Sequence, residues 1–322
     1  MDRFDPALIS VVMPCHNAAA YLDEAVASVL GQTYPQVELV VVDDGSTDGS
    51  TEHLQALAAA HPERITLVHQ VRAGPFAARN AALVHARGNF VAFLDADDFW
   101  HPEALARLHA ALLAGPADLA YCDWQDVGAA ATDPAPQGLP TLDAAGAVRH
   151  LLEHGAWPIH AVLVRRPLVD EARGFSERLP TAMDDDLWLR LLALGPTLTH
   201  VSEVLAFRRR HLHGRPGIPR YRQVFDAVAV RRDFARHHPE LVERIPPARL
   251  HALIHDPLLR EAYRCHWRND TESARRLFRR AFRTANWKLR DLKHLVASLL
   301  PAPLYRSLVN FVTRRRSIRI AE

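Results

Sequence analysis

Three aspartates directly follow an apolar run in the first third of the chain. Asp95, Asp97 and Asp98 come immediately after residues 90–94. If that run is a buried strand, two carboxylates separated by one residue can reach one centre where the backbone curls at the strand end. Mg²⁺ and Mn²⁺ bind carboxylates together with phosphate oxygens and water, so a divalent cation carrying a diphosphate would satisfy the pair. The alternative is an acidic turn that only caps the next helix, because aspartate is common at turns and N-caps.

A second acidic turn, Asp43-Asp44-Gly45-Ser46, follows the apolar run 37–42 in the same way. The glycine permits close approach of the backbone, and a carboxylate here can accept hydrogen bonds from a nucleobase N–H or from ribose hydroxyls. A turn that supplies a helix N-cap needs no ligand. Both interpretations of this turn therefore stay open on the residues alone.

Strands and helices alternate through the first hundred residues. Short apolar runs rich in β-branched residues predict the strands, and apolar positions at helical spacing predict the helices. The strands are predicted at 9–13, 37–42, 65–69 and 90–94, and the helices at 19–30, 51–60 and 76–87. This alternation predicts an open α/β fold with a twisted, mostly parallel sheet flanked by helices, which binds ligands at the carboxyl ends of its strands. Both acidic turns lie at that edge.

The remainder of the chain divides into a compact part and a helical part. Helices are predicted at 102–113 and 185–194, a strand at 162–164 and a loop at 128–142. We expect one domain over residues 1–217 and a basic helical region over 218–322. The helical region is interrupted by prolines in its sequence, namely Pro239, Pro246, Pro247 and Pro257.

Five segments, in this order and spacing, resemble the family 2 glycosyltransferases, which have the GT-A fold. They read SVVMPCHN at 10–17, SVLGQTY at 28–34, VVVDDGSTD at 40–48, ARNA at 78–81 and FLDADD at 93–98. The resemblance runs from about residue 8 to residue 100 and returns more weakly between about 160 and 213. It implies metal-dependent, inverting transfer of a sugar from a nucleotide-diphosphate donor to a glycan or lipid-linked acceptor, in the assembly of surface polysaccharide or glycolipid.

The resemblance also implies which residues bind the donor. Asp44 would contact the nucleobase, Asp95 the ribose or nucleoside, and Asp97 would coordinate Mn²⁺ or Mg²⁺, while Asp98 is the member of the cluster best explained as a cap. Arg79 would lie near the nucleotide. The nucleotide pocket would be lined by Pro14, Cys15, His16 and Asn17, with His16 in place of the more usual tyrosine. Residues 1–100 would thus form the nucleotide-binding half of the domain and residues 101–217 its acceptor half.

The acceptor side is predicted from the segment MDDDLWLR at 183–190, which looks like a family segment that reads Glu-Asp-x-Asp-Leu-Trp-Leu-Arg. Asp184 takes the position of the catalytic base, which removes the acceptor proton and contributes about 10² to 10⁴ in rate. Asp185 is the rival, because the run holds three acids. Met183 departs from the family, where a glutamate usually precedes the base. Alternatively, all three acids only stabilise the first turn of a helix.

A histidine near residue 211 is the third predicted metal ligand. Residues 207–213 resemble the family's strand and loop with an arginine and a histidine, and neutral imidazole suits Mn²⁺. We predict His211 for this role, with His213 as the alternative. Trp157 and Trp188 would stack on an acceptor or, as we favour, pack in the core.

Charge divides the chain unevenly. Residues 1–200 carry 12 Lys+Arg against 26 Asp+Glu, a net −14, and residues 201–322 carry 27 against 11, a net +16. The basic stretch 275–283 and the mostly apolar stretch 295–312 have the composition of a segment that lies on an anionic membrane. A helical appendage with solvated arginines fits equally well. Nucleic-acid binding fits poorly, because no aromatic motif or known module accompanies the arginines.

Location and alternative functions follow from smaller features. The three cysteines are odd in number and lack CxxC spacing, so a reducing cytoplasm without disulfide or zinc is expected. Residues 1–30 lack a signal-peptide pattern. A nucleotide-binding assembly partner with weak catalysis, indicated by Met183, and a nucleotidyltransferase are the alternative functions.

Overall fold

The computed structural model describes residues 4–128, 135–211 and 218–309, and the chain divides into two compact units. The first unit is Met1–Gly214 and the second is Arg215–Glu322. In the described residues the first unit contains the sheet, and the second contains helices.

One sheet of eight strands organises the described part of the first unit. The strands are β1 (Asp5–Cys15), β2 (Val37–Asp44), β3 (Ile65–Gln70), β4 (Gly88–Phe93), β5 (Phe99–Trp100), β6 (Leu119–Val127), β7 (Val162–Arg165) and β8 (Leu198–Arg209). They lie side by side in the order β3-β2-β1-β4-β7-β6-β8-β5. The predicted open sheet flanked by helices is therefore confirmed.

The half of the sheet formed by β3, β2, β1 and β4 is entirely parallel. Val11 in β1 pairs with Leu39 in β2 on one side and with Ala92 in β4 on the other. Every residue of β2 is buried, as expected for strands whose two faces are both covered by helices. Because these strands run the same way, their carboxyl ends meet at one edge of the sheet.

The other half of the sheet is mixed. β7 runs antiparallel to both β4 and β6, β5 runs antiparallel to β8, and β6 and β8 are parallel. The sequence did not predict β5 or β6. β5 has only two residues. β6 begins with four buried residues, Leu119 to Cys122, but its second half alternates partly exposed with buried positions and contains three polar residues, so that neither strand is a long apolar run. The predicted loop at 128–142 lies partly outside the described residues, and Gln137 within it pairs with Trp124 of β6.

The helices of the first unit lie close to their predicted positions. They are α1 (Leu22–Leu30), α2 (Ser50–Ala60), α3 (Pro75–His85), α4 (Ala104–Leu113), α5 (Ala144–His154), α6 (Arg166–Glu171) and α7 (Met183–Ala193). α5 and α6 had no counterpart in the prediction. α7 begins two residues before the predicted start, which places all three acids of its sequence in the first turn.

The described part of the second unit is helical around its own core. Its helices are α8 (Arg220–His237), α9 (Pro239–Val242), α10 (Pro247–Trp267), α11 (Thr271–Thr284) and α12 (Leu292–Ala297), with a 3₁₀ turn at Leu289–Asp291 and helical residues at 302–309. Pro239 and Pro247 begin helices, but Pro257 lies inside α10, so the predicted interruption there is wrong. Packing of Leu258, which is fully buried, offsets the cost of the missing hydrogen bond.

Within the ranges that the structure describes, none of the helices is both long and apolar enough to cross a membrane.

Gly88 provides a test of how closely β4 and β1 approach each other. Its N–H donates to Ser10 Oγ (2.8 Å), and an added Cβ would lie 2.4 Å from Leu8 O. We expect Gly88→Ala to lower the free energy of unfolding by about 1–3 kcal/mol, because the backbone must shift. Urea denaturation measures this loss. Gly115→Ala is the control, since its Cβ would meet nothing within 4 Å; equal losses in the two variants would contradict this packing.

Candidate active site

The acidic turn after β4 lies at the carboxyl edge of the parallel strands. Leu94, the last residue before the turn, donates its N–H to Val12 O in β1 (3.1 Å). The turn then brings one carboxylate oxygen each from Asp95, Asp97 and Asp98 within 4.8 Å of one another. Hard oxygen ligands at this spacing fit Mg²⁺ or Mn²⁺.

Arg79, on α3, is the buried cation of this site. Its side chain is 1% exposed, and it donates from Nη2 to Asp95 Oδ1 and from Nη1 to Met183 Sδ (3.2 Å). Asp184 Oδ1 lies 4.0 Å from the same Nη1. Burial opposes the charged form, but the charges of Asp95 and Asp184 outweigh it and raise the pKa of Arg79. The guanidinium of Arg79 therefore contacts Asp95, which is predicted to bind the nucleoside, and lies beside Asp184, which is predicted to be the catalytic base.

Asp97 and His211, the two predicted metal ligands, are neighbours. His211 Nε2 lies 2.7 Å from Asp97 Oδ2, and each side chain keeps about a third of its surface exposed. The ring of Tyr21 packs 5.2 Å from the imidazole, centroid to centroid. Burial, followed by the charge of Asp95, raises the pKa of Asp97, and a divalent cation at this point would offset that cost. His213, the alternative ligand, lies outside the described residues.

Asp98 has a different role from its neighbours. Its carboxylate is 5% exposed and accepts from the Arg209 N–H at the end of β8 (2.7 Å), and His160 Nδ1 lies 3.2 Å away. Glu103, not Asp98, occupies the N-cap position of α4, so the cap interpretation is wrong. Burial raises the pKa of Asp98 well above its usual range and lowers the pKa of His160 to about 4. Both shifts favour the uncharged forms of the two groups.

Asp44 lies at the end of β2 with its carboxylate turned toward the loop before α3. It is 3% exposed and accepts from Gln70 Nε2 (2.7 Å), from the Ala73 N–H (2.7 Å) and from the Gly74 N–H (2.9 Å). The chain itself therefore supplies three donors to the residue predicted to contact a nucleobase. The neighbouring Asp43 caps the turn by accepting from the Ser46 N–H, as the turn interpretation requires.

The predicted pocket residues Pro14 to Asn17 form the end of β1 and the turn that follows it. His16 Nδ1 lies 3.0 Å from Asp44 O, and Asn17, at φ 54°, accepts the Thr47 N–H through its side-chain oxygen (2.8 Å). These bonds join the turns after β1 and β2. The Cys15 side chain is buried, and this burial raises its thiol pKa to about 12, so Cys15 would face a ligand only through its backbone.

The three acids at the start of α7 have different surroundings. Asp185 accepts from the Ala156 N–H (2.9 Å), and Asp186 accepts from Arg190 Nε (2.8 Å). Asp184 is the member of the run that lies beside Arg79. Geometry therefore brings Asp184, rather than Asp185, next to the acidic turn of β4.

Trp157 and Trp188 are core residues. Their rings stack at 5.5 Å between centroids and are 3% and 0% exposed. Trp188 Nε1 donates to Trp157 O (3.2 Å). The prediction that they pack in the core is confirmed.

Two residues that hold the site were absent from the prediction, His160 and Arg209. Besides binding Asp98 through its N–H, Arg209 donates from Nε to Asp97 O (3.0 Å) and its guanidinium lies 4.9 Å from the ring of Tyr21. Neither residue belongs to a local motif. The family resemblance implied an arginine within residues 207–213 but not which one. Residues 160 and 209 are too far from residue 98 in the sequence for any local pattern to predict their contact.

The sequence and the fold are similar to those of known proteins. Residues 10–160 match the sequence profile of the family described as Glycosyl transferase family 2. These residues form a family 2 glycosyltransferase domain, and the resemblance inferred from the motifs is confirmed.

Two curated relatives are similar to about two thirds of this chain. The chain is 34% identical over 205 residues to the O-antigen biosynthesis protein RfbC of Myxococcus xanthus, covering 63% of this chain and 16% of RfbC. It is 29% identical over 222 residues to chondroitin synthase of Escherichia coli, covering 64% of this chain and 29% of that protein. The chain spans less than half the length of the curated relatives that it matches first.

Solved structures share the fold at low sequence identity. TarS 1–349 of S. aureus in complex with UDP-GlcNAc aligns with TM-score 0.62 and 19% identity over 96% of this chain and 92% of that one. The mannosyltransferase PcManGT of Pyrobaculum calidifontis, in complex with GDP-Man and Mn²⁺, aligns with TM-score 0.58 and 22% identity, covering 96% and 86%. These alignments confirm the predicted GT-A fold.

Removal of Arg79 tests whether the buried guanidinium holds the site together. We expect Arg79→Met to lower the free energy of unfolding by about 3 kcal/mol, the low end for breaking a buried pair, because Asp95 and Asp184 keep partial exposure. Arg107→Met, which removes an exposed pair with Glu103, should cost less than about 1 kcal/mol. Denaturant titration compares them. Adding Asp95→Asn to Arg79→Met should recover part of the loss; if Arg79→Met is no worse than the control, Arg79 lacks this role.

Proposed function

We propose that the chain is an inverting, metal-dependent glycosyltransferase that moves a sugar from a nucleotide-diphosphate donor to an acceptor hydroxyl in polysaccharide or glycolipid assembly. Its family domain and the O-antigen and chondroitin relatives give the glycosyltransferase class. The observation that carries the finer proposal is the contact of Arg79 with Asp95, with Asp184 4.0 Å from the same guanidinium. Such a transfer needs a donor-binding residue and a catalytic base close together. Asp95 and Asp184 would supply them, both beside the Arg79 guanidinium.

On the donor side, Asp97 and His211 would hold the divalent cation and Asp95 would contact the nucleoside. The 4.8 Å carboxylate cluster and the 2.7 Å contact of His211 with Asp97 support this assignment. When bound, the cation stabilises negative charge on the departing nucleotide diphosphate. Asp44 already accepts three hydrogen bonds, so it would offer a nucleobase about one further acceptor position.

On the acceptor side, we assign the base to Asp184. In an inverting transfer, one carboxylate takes the proton of the acceptor hydroxyl as its oxygen attacks the anomeric carbon from the face opposite the diphosphate. Asp185 and Asp186 contact other neighbours, since they accept hydrogen bonds from the Ala156 N–H and from Arg190 Nε. Asp184, by contrast, lies 4.0 Å from the Arg79 guanidinium that contacts Asp95.

The surroundings of the reaction complete the proposal. Residues 1–100 would bind the nucleotide and residues 101–217 the acceptor, with 218–322 as a basic helical region. The acceptor would be a glycan or a lipid-linked sugar. A lipid-linked acceptor would bring the enzyme to the cytoplasmic face of a membrane, where the net charge of +16 over residues 201–322 favours peripheral contact with anionic lipid.

Substitution of the three acids separately tests the base. We expect Asp184→Asn to lower kcat by about 10² to 10⁴ with donor binding unchanged, because general-base assistance is lost. Asp185→Asn and Asp186→Asn are isosteric controls that should keep most of the turnover. Donor turnover with acceptor and donor affinity are measured in parallel. Near-full turnover in Asp184→Asn would reject the assignment, and loss confined to Asp185→Asn would transfer it to Asp185.

A panel of nucleotide sugars tests the function itself. We expect a UDP- or GDP-sugar to raise the thermal midpoint in the presence of Mn²⁺ and EDTA to remove this effect, since a ligand at about 100 times its Kd contributes about 2.7 kcal/mol. Asp97→Asn should abolish the metal-dependent part. The control is Asp23→Asn, an exposed acid that pairs with His53.

The products separate the alternative functions. Release of nucleoside diphosphate from the donor, even without acceptor, would distinguish an enzyme from a nucleotide-binding assembly partner. Release of pyrophosphate from a nucleoside triphosphate would indicate a nucleotidyltransferase. If no nucleotide sugar binds and metal makes no difference, the proposed function fails.

A further inference from the structure

Exposed apolar side chains are concentrated in one segment of the second unit. We call this segment, residues 287–308, the C-terminal patch. Its large apolar side chains, each between 37% and 82% exposed, are Trp287, Leu289, Val296, Leu299, Leu300, Leu304 and Leu308. In the described residues of the first unit, the large apolar residues exposed to this degree are Val71, Val84, Leu113 and Leu194, which are scattered along the chain. Single exposed residues are ordinary, whereas a concentration of them marks an interaction surface.

The helical spacing places these side chains outward while their neighbours anchor the segment. Leu289, Lys293, Val296 and Leu300 follow one another at intervals of four, three and four residues, along one side of the 3₁₀ turn and α12. Leu295, on the other side of α12, is fully buried. In the helical residues 302–309, Leu304 and Leu308 are exposed, whereas Tyr305 and Val309 are buried in the core of the second unit.

Two arginines of α11 hold the turn between these helices in place. Arg279 donates to Ser298 O (2.6 Å) and Leu299 O (2.7 Å), and Arg275 donates to Leu300 O (3.1 Å). These bonds satisfy carbonyls that the end of α12 would otherwise leave unpaired. Leu299 and Leu300 are therefore exposed at a defined position.

The patch is also positively charged. Residues 275–309 contain nine basic residues and one acidic residue, Asp291. Asp291 is 5% exposed and accepts from Tyr263 Oη (2.7 Å) and the Lys288 N–H (2.8 Å), so its charge is directed inward. A cleft of about 340 Å³ joins the patch to α10 and is lined by Tyr263, Trp267, Arg290, Asp291, Lys293 and His294, of which the last four belong to the patch.

We propose that the C-terminal patch binds the surface of an anionic bilayer. Its leucines and Trp287 enter the boundary between headgroups and acyl chains, Arg290, Lys293 and Arg306 contact lipid phosphates, and the adjacent cleft takes one phosphate headgroup. A second copy of the chain would bring cations against cations, and an acidic soluble partner would leave the leucines in water. A bilayer with anionic headgroups satisfies both features. The inference deepens the proposed peripheral contact and rests on it, but not on glycosyl transfer.

Vesicle sedimentation with the full chain tests this surface. The probes are phosphatidylglycerol-containing vesicles and pure phosphatidylcholine vesicles. We expect binding to the anionic vesicles only, weakened at least about tenfold by Leu304→Ser/Leu308→Ser, since burial of one leucine is worth more than a factor of ten. Val84→Ser/Leu113→Ser, a more exposed apolar pair in the first unit, should change nothing.

The charge contribution is tested in the same assay. Lys293→Gln should weaken binding about fivefold, because one basic residue near an anionic surface contributes about that factor. Arg107→Gln, which removes a cation from the first unit, should have no effect. Unchanged melting temperatures and unchanged release of nucleoside diphosphate from a water-soluble donor show that the variants are folded.

The possible outcomes are decisive. No binding by the wild type, or equal binding by the leucine variant, overturns the proposal; in the second case the attraction is charge alone. If the leucine variant instead converts an oligomer into a monomer while vesicle binding is unaffected, the patch is an interface between copies and the proposal is also wrong. Vesicle binding without any sugar transfer would leave this inference standing and reject only the proposed function.

Discussion

The charge on the buried guanidinium of Arg79 constrains the first unit more than any other group. A guanidinium keeps its proton in a protein, so an arginine that is 1% exposed requires carboxylates beside it. Asp95 comes from the turn after β4 and Asp184 from the first turn of α7, so the sheet edge and that helix are held to one point. Met183, where the family usually has a glutamate, presents a thioether to the same guanidinium.

The parallel half of the sheet could be predicted from the sequence because local chemistry determines it. β1, β2 and β4 are mostly apolar along their length. This pattern is typical of strands whose sheet is covered on both faces. The runs of β2 and β4 each end in a turn rich in aspartate, and parallel strands bring those turns to one edge. The sequence alone therefore predicts that the carboxylates of Asp44, Asp95 and Asp97 lie at the same edge of the sheet.

The remaining features depend on contacts between distant residues. Only the first half of β6 is an apolar run, its second half contains polar residues, and its partners β7 and β8 lie far along the chain. Asp98 resembled a helix cap because the residues around it suit a cap, yet its partners are His160 and Arg209. Pro257 resembled a break because a local rule disfavours it, and tertiary packing overrides that rule. Spacing also could not separate Asp184 from Asp185; only the position of Arg79 distinguishes them.

The hydrogen bond between Asp98 and Arg209, which spans 111 residues, has a consequence for synthesis of the protein. The ribosome delivers the whole stretch that matches the family profile, residues 10–160, before it reaches the strand that holds the last aspartate. At about 5 to 20 residues per second, roughly ten seconds separate Asp98 from its partner. During that interval a nascent chain carries three like charges in one turn without the backbone donor that fixes one of them. The edge of the sheet that carries the acidic turns is therefore completed only with β8, and a chain arrested before β8 has its motifs but lacks the contacts that hold Asp98.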